Sequence, residues 1–204
     1  MNIVKNIKNL LNFLYLFYNN FMNKFFGHLH TINKHRRLVR KHCFKCGLYF
    51  QGLTHDLSKY SPVEFFNGVK YYQGFRSPTM LERETIGYSK AWLHHKGRNK
   101  HHFEYWRDID LVTKKYVPIA MPDKYVIEMF CDRIAASKVY LKDKYTNRSP
   151  LDYFLNKDKE TELHIDTRKK ILFLLNMLNE KGEKETFKYI KSHYKNKTLF
   201  NDLN

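Results

Sequence analysis

The chain has 204 residues, enough for one well-cored domain, and its 43% hydrophobic and 16% aromatic content supplies the material for a core. Its formal charge of +17 points to polyanionic partners such as nucleic acid, nucleotides or an acidic membrane surface. The same richness in Lys, Asn, Ile, Phe and Tyr is also what an AT-rich coding bias produces. Three cysteines, Cys43, Cys46 and Cys131, are an odd number and exclude a disulfide framework; a reducing compartment, the cytoplasm, is expected.

Residues 1–27 read as an amphipathic helix, with Ile3, Ile7, Leu10, Leu14, Phe17 and Phe21 at alternating steps of four and three. The segment lacks a small-residue cleavage site, and its Asn-interrupted apolar run is too short to span a bilayer. Docking onto the body of the protein is the leading expectation. Lying on a membrane surface and pairing with another subunit to form an oligomer are the alternatives.

A second helix is expected over 31–50, with Ile32, His35, Val39, His42, Cys46 and Tyr49 down one side. Arg36, Arg37, Arg40, Lys41 and Lys45 fall mostly on the rest of its surface. The single CxxC, Cys43 to Cys46, has no second pair and is read as two small apolar residues. After the stretch GLTHDLSKYSPVEF, residues 52–65, Ser61-Pro62-Val63-Glu64 forms a capping box with proline at the first helical position, so a helix starts just beyond His55-Asp56.

Ser77-Pro78 and Ser149-Pro150 repeat that start signal. A helix over about 80–95 is expected to close on a left-handed Gly97, and another from about Asn99 to carry His101, His102, Tyr105 and Trp106. Pro122-Asp123 opens a long helix whose apolar face includes one odd member, Asp132. A last apolar helix over 167–181 stops at Gly182, before a basic terminal helix. Strand signals are almost absent and no repeat or linker divides the chain, so the expectation is an all-α single compact bundle. Its segments are an N-terminal helix (1–27), a core (28–155) and C-terminal helices packed on the core (156–204).

In such a bundle His35, His55, Asp56, the pairs His94-His95 and His101-His102, and Asp132 lie on or beside apolar stripes. Burying them unpaired costs roughly 2–7 kcal/mol each. Imidazoles and carboxylates converging from several helices suit divalent transition metals, and two clusters sharing a carboxylate can hold two.

The ordered set H…HD…H…H…D, with His55-Asp56-Leu57-Ser58-Lys59 at its centre, resembles the HD-domain superfamily of metal-dependent phosphohydrolases. GLTHDLSKYSPVEF, AWLHHKGRNKHH and EMFCDRIAASKVY also resemble an uncharacterised bacterial and phage family over roughly residues 28–155. The HD resemblance implies that His35, His55, Asp56 and Asp132 hold one divalent metal (Mn, Fe, Co, Ni or Zn). Asp56 bridges to a second, completed by one histidine from each later pair. The interval from His35 to His55 is short for the superfamily, which leaves His30 or His28 as alternative first ligands, and Ser58 stands where glycine is common. Asp56, Lys59, Glu64 and Glu128 are implied as catalytic candidates, with Lys59, Arg98 and Arg133 as binders of a phosphoryl group. Ordinary roles, a capping box for Glu64 and a local hydrogen bond for Glu128, stand beside these. The expected activity is hydrolysis of a phosphate ester, in a nucleotide or nucleotide-like substrate. The alternatives are an HD-fold di-iron oxygenase, and a non-enzymatic nucleic-acid-binding protein using Arg36, Arg37, Arg40, Lys41 and the Lys-rich C-terminal helix.

Overall fold

The computed structural model describes residues 2–157 and 163–203, with the side chains of 2–4 and 202 left aside. Eight α-helices make up nearly all of the regular structure among these residues: α1 (Asn2–Lys45), α2 (Tyr49–Thr54), α3 (Pro62–Lys70), α4 (Pro78–Ile86), α5 (Lys90–Lys96), α6 (Asp123–Leu141), α7 (Ser149–Lys157) and α8 (Ile165–Lys195). A two-stranded antiparallel hairpin, β1 (Arg107–Ile109) with β2 (Tyr116–Pro118), pairs Asp108 with Val117. The protein is all-α apart from this hairpin.

α6 is the central helix. Val126, Ile127, Phe130, Cys131, Ile134 and Ala135 are all fully buried, because α1 packs on one side and α7 and α8 on others. Val39 and Cys43 of α1 and Cys46 just beyond its end join them, with Ile171, Leu174, Leu178, Phe187 and Ile190 of α8, in one apolar cluster. The cysteines behave as small apolar residues: all three are free and buried, with Cys46 Sγ 3.8 Å from Cys131 Sγ. α7 crosses the boundary expected between residues 155 and 156.

The helix expected to begin at Thr31 does not; α1 runs unbroken through that position. Thr31 Oγ1 donates to the Gly27 carbonyl (2.9 Å) and meets the Tyr72 hydroxyl (3.1 Å), so the hydroxyl serves the helix interior rather than a cap. Gly27 answers to a neighbour: a Cβ there would lie 2.6 Å from the Tyr72 ring. α1 ends before Gly47, whose φ of 83° is left-handed, and the expected continuation to residue 50 becomes the separate α2.

The helix expected over 80–95 is two helices. Gly87 (φ 82°) closes α4, and Ser89 caps α5 by accepting from Trp92 N–H (3.0 Å). Gly97 is right-handed (φ −75°) and not the left-handed cap expected there. From Gly97 to Pro122 the chain makes turns, one short 3-10 turn and the hairpin, so His101 and His102 sit on a loop and not on a helix. The expected stop at Gly182 is present: φ 72°, ψ 172° breaks α8 into two arms.

Docking of the N-terminal segment onto the body is also corrected. From Phe25 onward the apolar stripe of α1 packs through Leu29 and Ile32 on Phe65 and Val69 of α3. Residues 5–18, by contrast, are all exposed.

Candidate metal centre

Four elements bring the polar residues together. α1 supplies His35, the turn after α2 supplies His55 and Asp56, α5 and the loop beyond it supply His95, His101 and His102, and α6 supplies Glu128 and Asp132. α2 ends at Thr54, His55 turns extended, and Asp56 takes the left-handed conformation (φ 55°, ψ 26°). Among non-glycine residues, Asp and Asn accept that region most readily. Arg36, offered above as a nucleic-acid contact, instead fixes this turn. Its guanidinium donates to the His55 carbonyl (2.8 Å), the Leu53 carbonyl (3.2 Å) and the Tyr60 hydroxyl (3.1 Å).

The first donor set is His35 Nε2, His55 Nε2, Asp56 Oδ2 and Asp132 Oδ1. Its separations are 3.0 Å (His35–Asp132), 3.3 Å (His55–Asp56), 3.4 Å (His35–Asp56 and His35–His55) and 3.6 Å (His55–Asp132). The second gathers around the other oxygen of the same carboxylate: Asp56 Oδ1 lies 3.3 Å from His95 Nε2 and 3.4 Å from His101 Nε2, and His95 Nε2 lies 2.9 Å from His102 Nε2. Donors held about 2.1 Å from a divalent ion stand about 3.0 Å apart when adjacent on an octahedron and about 3.4 Å apart on a tetrahedron. Most of these separations fall in that range; His55–Asp132 at 3.6 Å and His95–His102 at 2.9 Å lie just outside it.

The hydrogen bonding around the sets fits the same purpose. Glu128 Oε1 accepts from His55 Nδ1 (2.9 Å) and His101 Nδ1 (3.2 Å), and Glu64 accepts from His95 Nδ1 (2.7 Å) and His94 Nδ1 (2.6 Å). With Nδ1 donating to a carboxylate, Nε2 of His55, His95 and His101 faces the cluster, the arrangement that orients metal-ligating imidazoles. Both oxygens of Asp56 and Nε2 of His101 are buried without an aligned hydrogen-bond partner. The Lys59 ammonium, 2.6 Å from Oδ2, compensates that oxygen, but Oδ1 and His101 Nε2 have no such partner; buried acceptors left so are costly, and a cation between them would satisfy both.

The titration behaviour follows from this crowding. Burial alone would raise the Asp56 and Asp132 carboxyls, yet both are held well below the usual range, Asp56 by His55, Lys59 and His95 and Asp132 by His35 and His55. Burial would lower His55, but Asp56, Asp132 and Glu128 raise it well above an ordinary imidazole; His95 is raised in the same way by Asp56 and Glu64. His101 and His102 are lowered, first by burial and then by neighbouring imidazoles. The imidazoles and the buried carboxylates thus compensate one another. Lys59 Nζ stands 2.6 Å from Asp56 Oδ2, and its tendency to deprotonate on burial is overcome by Asp56 and Asp132.

Of the residues named from the sequence, His35, His55, Asp56, His95, His101, His102 and Asp132 converge. His94 does not: it turns to Glu64 and stays outside both sets. The alternative first ligands also stay out, since His30 is exposed and His28 lies two turns earlier on α1. Glu64 is not reserved for its capping box; Ser61 Oγ accepts from Glu64 N–H (3.4 Å), while the carboxylate holds the two histidines. Arg98 is exposed and donates to the His94 carbonyl (3.3 Å).

A cleft of about 760 Å³ opens beside the cluster and reaches Asp56, Lys59, His95, His102 and Asp132. Arg133 lines it, stacked over Phe154, as do Arg76 and Arg83, two cations the sequence did not single out. Buried Glu82 was also missed. It accepts from Ser89 Oγ and from Lys90 N–H (3.0 Å), fixing the start of the helix that carries His95. Ser58 Oγ accepts from Asn99 Nδ2 (2.8 Å), tying the His55-Asp56 turn to the His95 loop; a glycine there would have no such bond.

Fold and site together define an all-α protein with a buried, two-lobed cluster of imidazoles and carboxylates at the floor of a cleft. Over residues 24–177 the chain matches a family of unknown function, DUF5662, and it belongs to that family. No curated protein and no solved structure matches it.

Proposed function

We propose that the chain is a metal-dependent phosphohydrolase of the HD type, acting on a phosphate ester in a nucleotide or nucleotide-like molecule. The observation that carries this reading is Asp56: one buried carboxylate whose two oxygens, without aligned hydrogen bonds, each face a separate group of imidazole nitrogens. His35, His55, Asp56 and Asp132 would hold one divalent ion, and Asp56, His95, His101 and His102 a second. Such ions, when bound, supply Lewis acidity and lower the pKa of water enough for it to act as a nucleophile near neutral pH.

The chain's own residues provide the rest. Lys59 is kept protonated beside Asp56 at the cleft, where it can take a phosphoryl oxygen. Arg83 and Arg133 add positive charge along the cleft wall, which favours an anionic ester over a neutral one, while Arg76 there is paired with Glu84 (2.7 Å). Glu64 and Glu128 are each occupied by two imidazoles and held below the ordinary carboxyl range. They act as positioning residues and not as general acids.

The test uses protein purified without chelator or nickel affinity, beside Asp56→Ala. Metal is measured by elemental analysis, and hydrolysis is followed on phosphomonoesters, phosphodiesters and a nucleotide panel. Bound transition metal and ester hydrolysis, both lost in the variant, are expected. Protein that holds no metal and cannot be reloaded would overturn the reading. Bound iron with oxygen consumption and no ester hydrolysis would replace it with the oxygenase, which the same histidine-rich donors could serve.

A further inference from the structure

We infer that the exposed first half of α1 binds the surface of an anionic lipid bilayer, lying in the interface with its apolar stripe buried. Between Lys5 and Phe21, ten of the seventeen residues are Ile, Leu, Phe or Tyr. In the described structure nothing covers them: Leu10, Leu11, Phe13, Leu14, Tyr15, Leu16, Phe17 and Tyr18 are each between 51% and 66% exposed. Isolated apolar residues on a surface are ordinary, but a continuous run of this size marks an interaction site.

The pattern on the helix separates the possible occupants. At 100° per residue, eight of these ten, Ile7, Leu10, Leu11, Leu14, Tyr15, Phe17, Tyr18 and Phe21, fall within an arc of about 160°, with Phe13 at its margin and Leu16 on the far side. Lys5, Lys8, Asn9, Asn12, Asn19 and Asn20 take the opposite side. A two-helix seam needs only about two apolar positions in seven and would leave much of this stripe wet. A bilayer interface covers the whole width, and tyrosine and phenylalanine are suited to the headgroup boundary.

Charge selects the kind of bilayer. Lys5, Lys8 and Lys24 border or oppose the stripe, and no acidic residue occurs before Asp56. Every ionic contact that this half of α1 can make is therefore with an anion, and lysines beside an interfacial helix reach out to lipid phosphates. A second copy would present the same cations. No helix among the described residues is long and apolar enough to cross a membrane, so the segment lies on the surface and does not span.

The experiment is flotation of the full chain with vesicles of phosphatidylcholine alone or with about 30% phosphatidylserine, at about 0.15 M salt, where exposed charges are already screened beyond about 8 Å. Two variants are run alongside. Leu10→Ser/Leu14→Ser/Phe17→Ser removes apolar area without changing charge, and Lys5→Gln/Lys8→Gln does the reverse. These side chains touch no other element, Phe17 meeting only Phe13 of the same helix, so helix content and thermal midpoint act as controls for folding. Binding to the mixed vesicles is expected, falling at least about 10-fold in the serine variant and several-fold in the glutamine variant or on pure phosphatidylcholine. Undiminished binding of the serine variant would reduce the effect to adsorption of a basic protein and overturn the inference. Absence of vesicle binding would also overturn it, and a dimer in light scattering that the serine variant dissociates would assign the stripe to a second copy.

Discussion

Asp56 combines three demands that few side chains meet together: a left-handed backbone, complete burial, and two oxygens facing two donor sets. Asparagine tolerates the same backbone and keeps nearly the same shape, so Asp56→Asn isolates the charge. We expect it to lose metal almost as completely as Asp56→Ala while retaining helix content, read by elemental analysis and circular dichroism. Glu128 tests a different role. As a group that only orients His55 and His101, its change to Gln should weaken metal binding about 10- to 100-fold, measured by competition with a chelator. A general acid or base would instead lower turnover and leave metal affinity unmoved. The sequence offered Glu128 as either, because spacing on α6 places it near Asp132 but does not reveal that one oxygen serves two imidazoles from separate loops.

At the scale of helices, the contact between α1, α6 and α8 contains a group that makes the fold acid-sensitive without touching the candidate centre. His42 is buried, stacked on Phe187 of α8, with Nδ1 3.4 Å from the Cys131 carbonyl of α6. Burial first, and then Lys138, lower its pKa from 6.5 to about 4, with Lys45 adding to the shift and the Cys131 carbonyl and Glu183 opposing it. A depressed imidazole pKa means that the unfolded chain takes the proton first. Stability from this group is therefore complete above about pH 6.5 and lost as pH falls toward 4, by about 3 kcal/mol in all. In chelator, the loss of unfolding free energy between pH 7 and 4.5 should be about 2–3 kcal/mol smaller for His42→Phe than for the parent chain. The α1–α3 contact has its own sensitive point. A Cβ on Gly68 would lie 2.0 Å from His28 Nε2, so Gly68→Ala should lower the denaturant midpoint by the equivalent of about 1–3 kcal/mol. Neither effect is visible in the sequence, where His42 is one apolar-face member among several and Gly68 reads as a weak point in a short helix. Local signals served well where a cap or break acts alone, at Ser61-Pro62 and Gly182. They misled at Thr31, where the Tyr72 contact overrode them, and at Gly97, where the chain keeps a right-handed conformation.

Across the whole molecule, what the sequence made legible was which imidazoles and carboxylates converge, because side chains from distant elements still carry their residue types and order. What it could not supply was selection among neighbours: Glu64 meets Nδ1 of both His94 and His95, and only His95 is buried against the cluster, while the joint use of His101 and His102 depends on a loop that was expected to be helical. The centre is also where the long-range organisation is concentrated. His35, His55-Asp56, the His95–His102 segment and Asp132 come from elements up to 97 residues apart in sequence, from His35 to Asp132. Without a cation, their carboxylates depend on the surrounding imidazoles and on Lys59 for compensation. An ion that binds the folded arrangement and not the dispersed ligands must stabilise the whole fold, by about 2.7 kcal/mol when its free concentration is about 100 times Kd. For a chain of this length that corresponds to roughly 5–11 °C in Tm. Stripping with chelator should therefore lower Tm by that order, and titrating back Mn, Fe, Co, Ni or Zn should restore it to different extents. In Asp56→Asn neither step should move the transition. A chelator-insensitive Tm in the parent chain, with no response to any of these ions, would leave the cluster as a polar network held by protons alone.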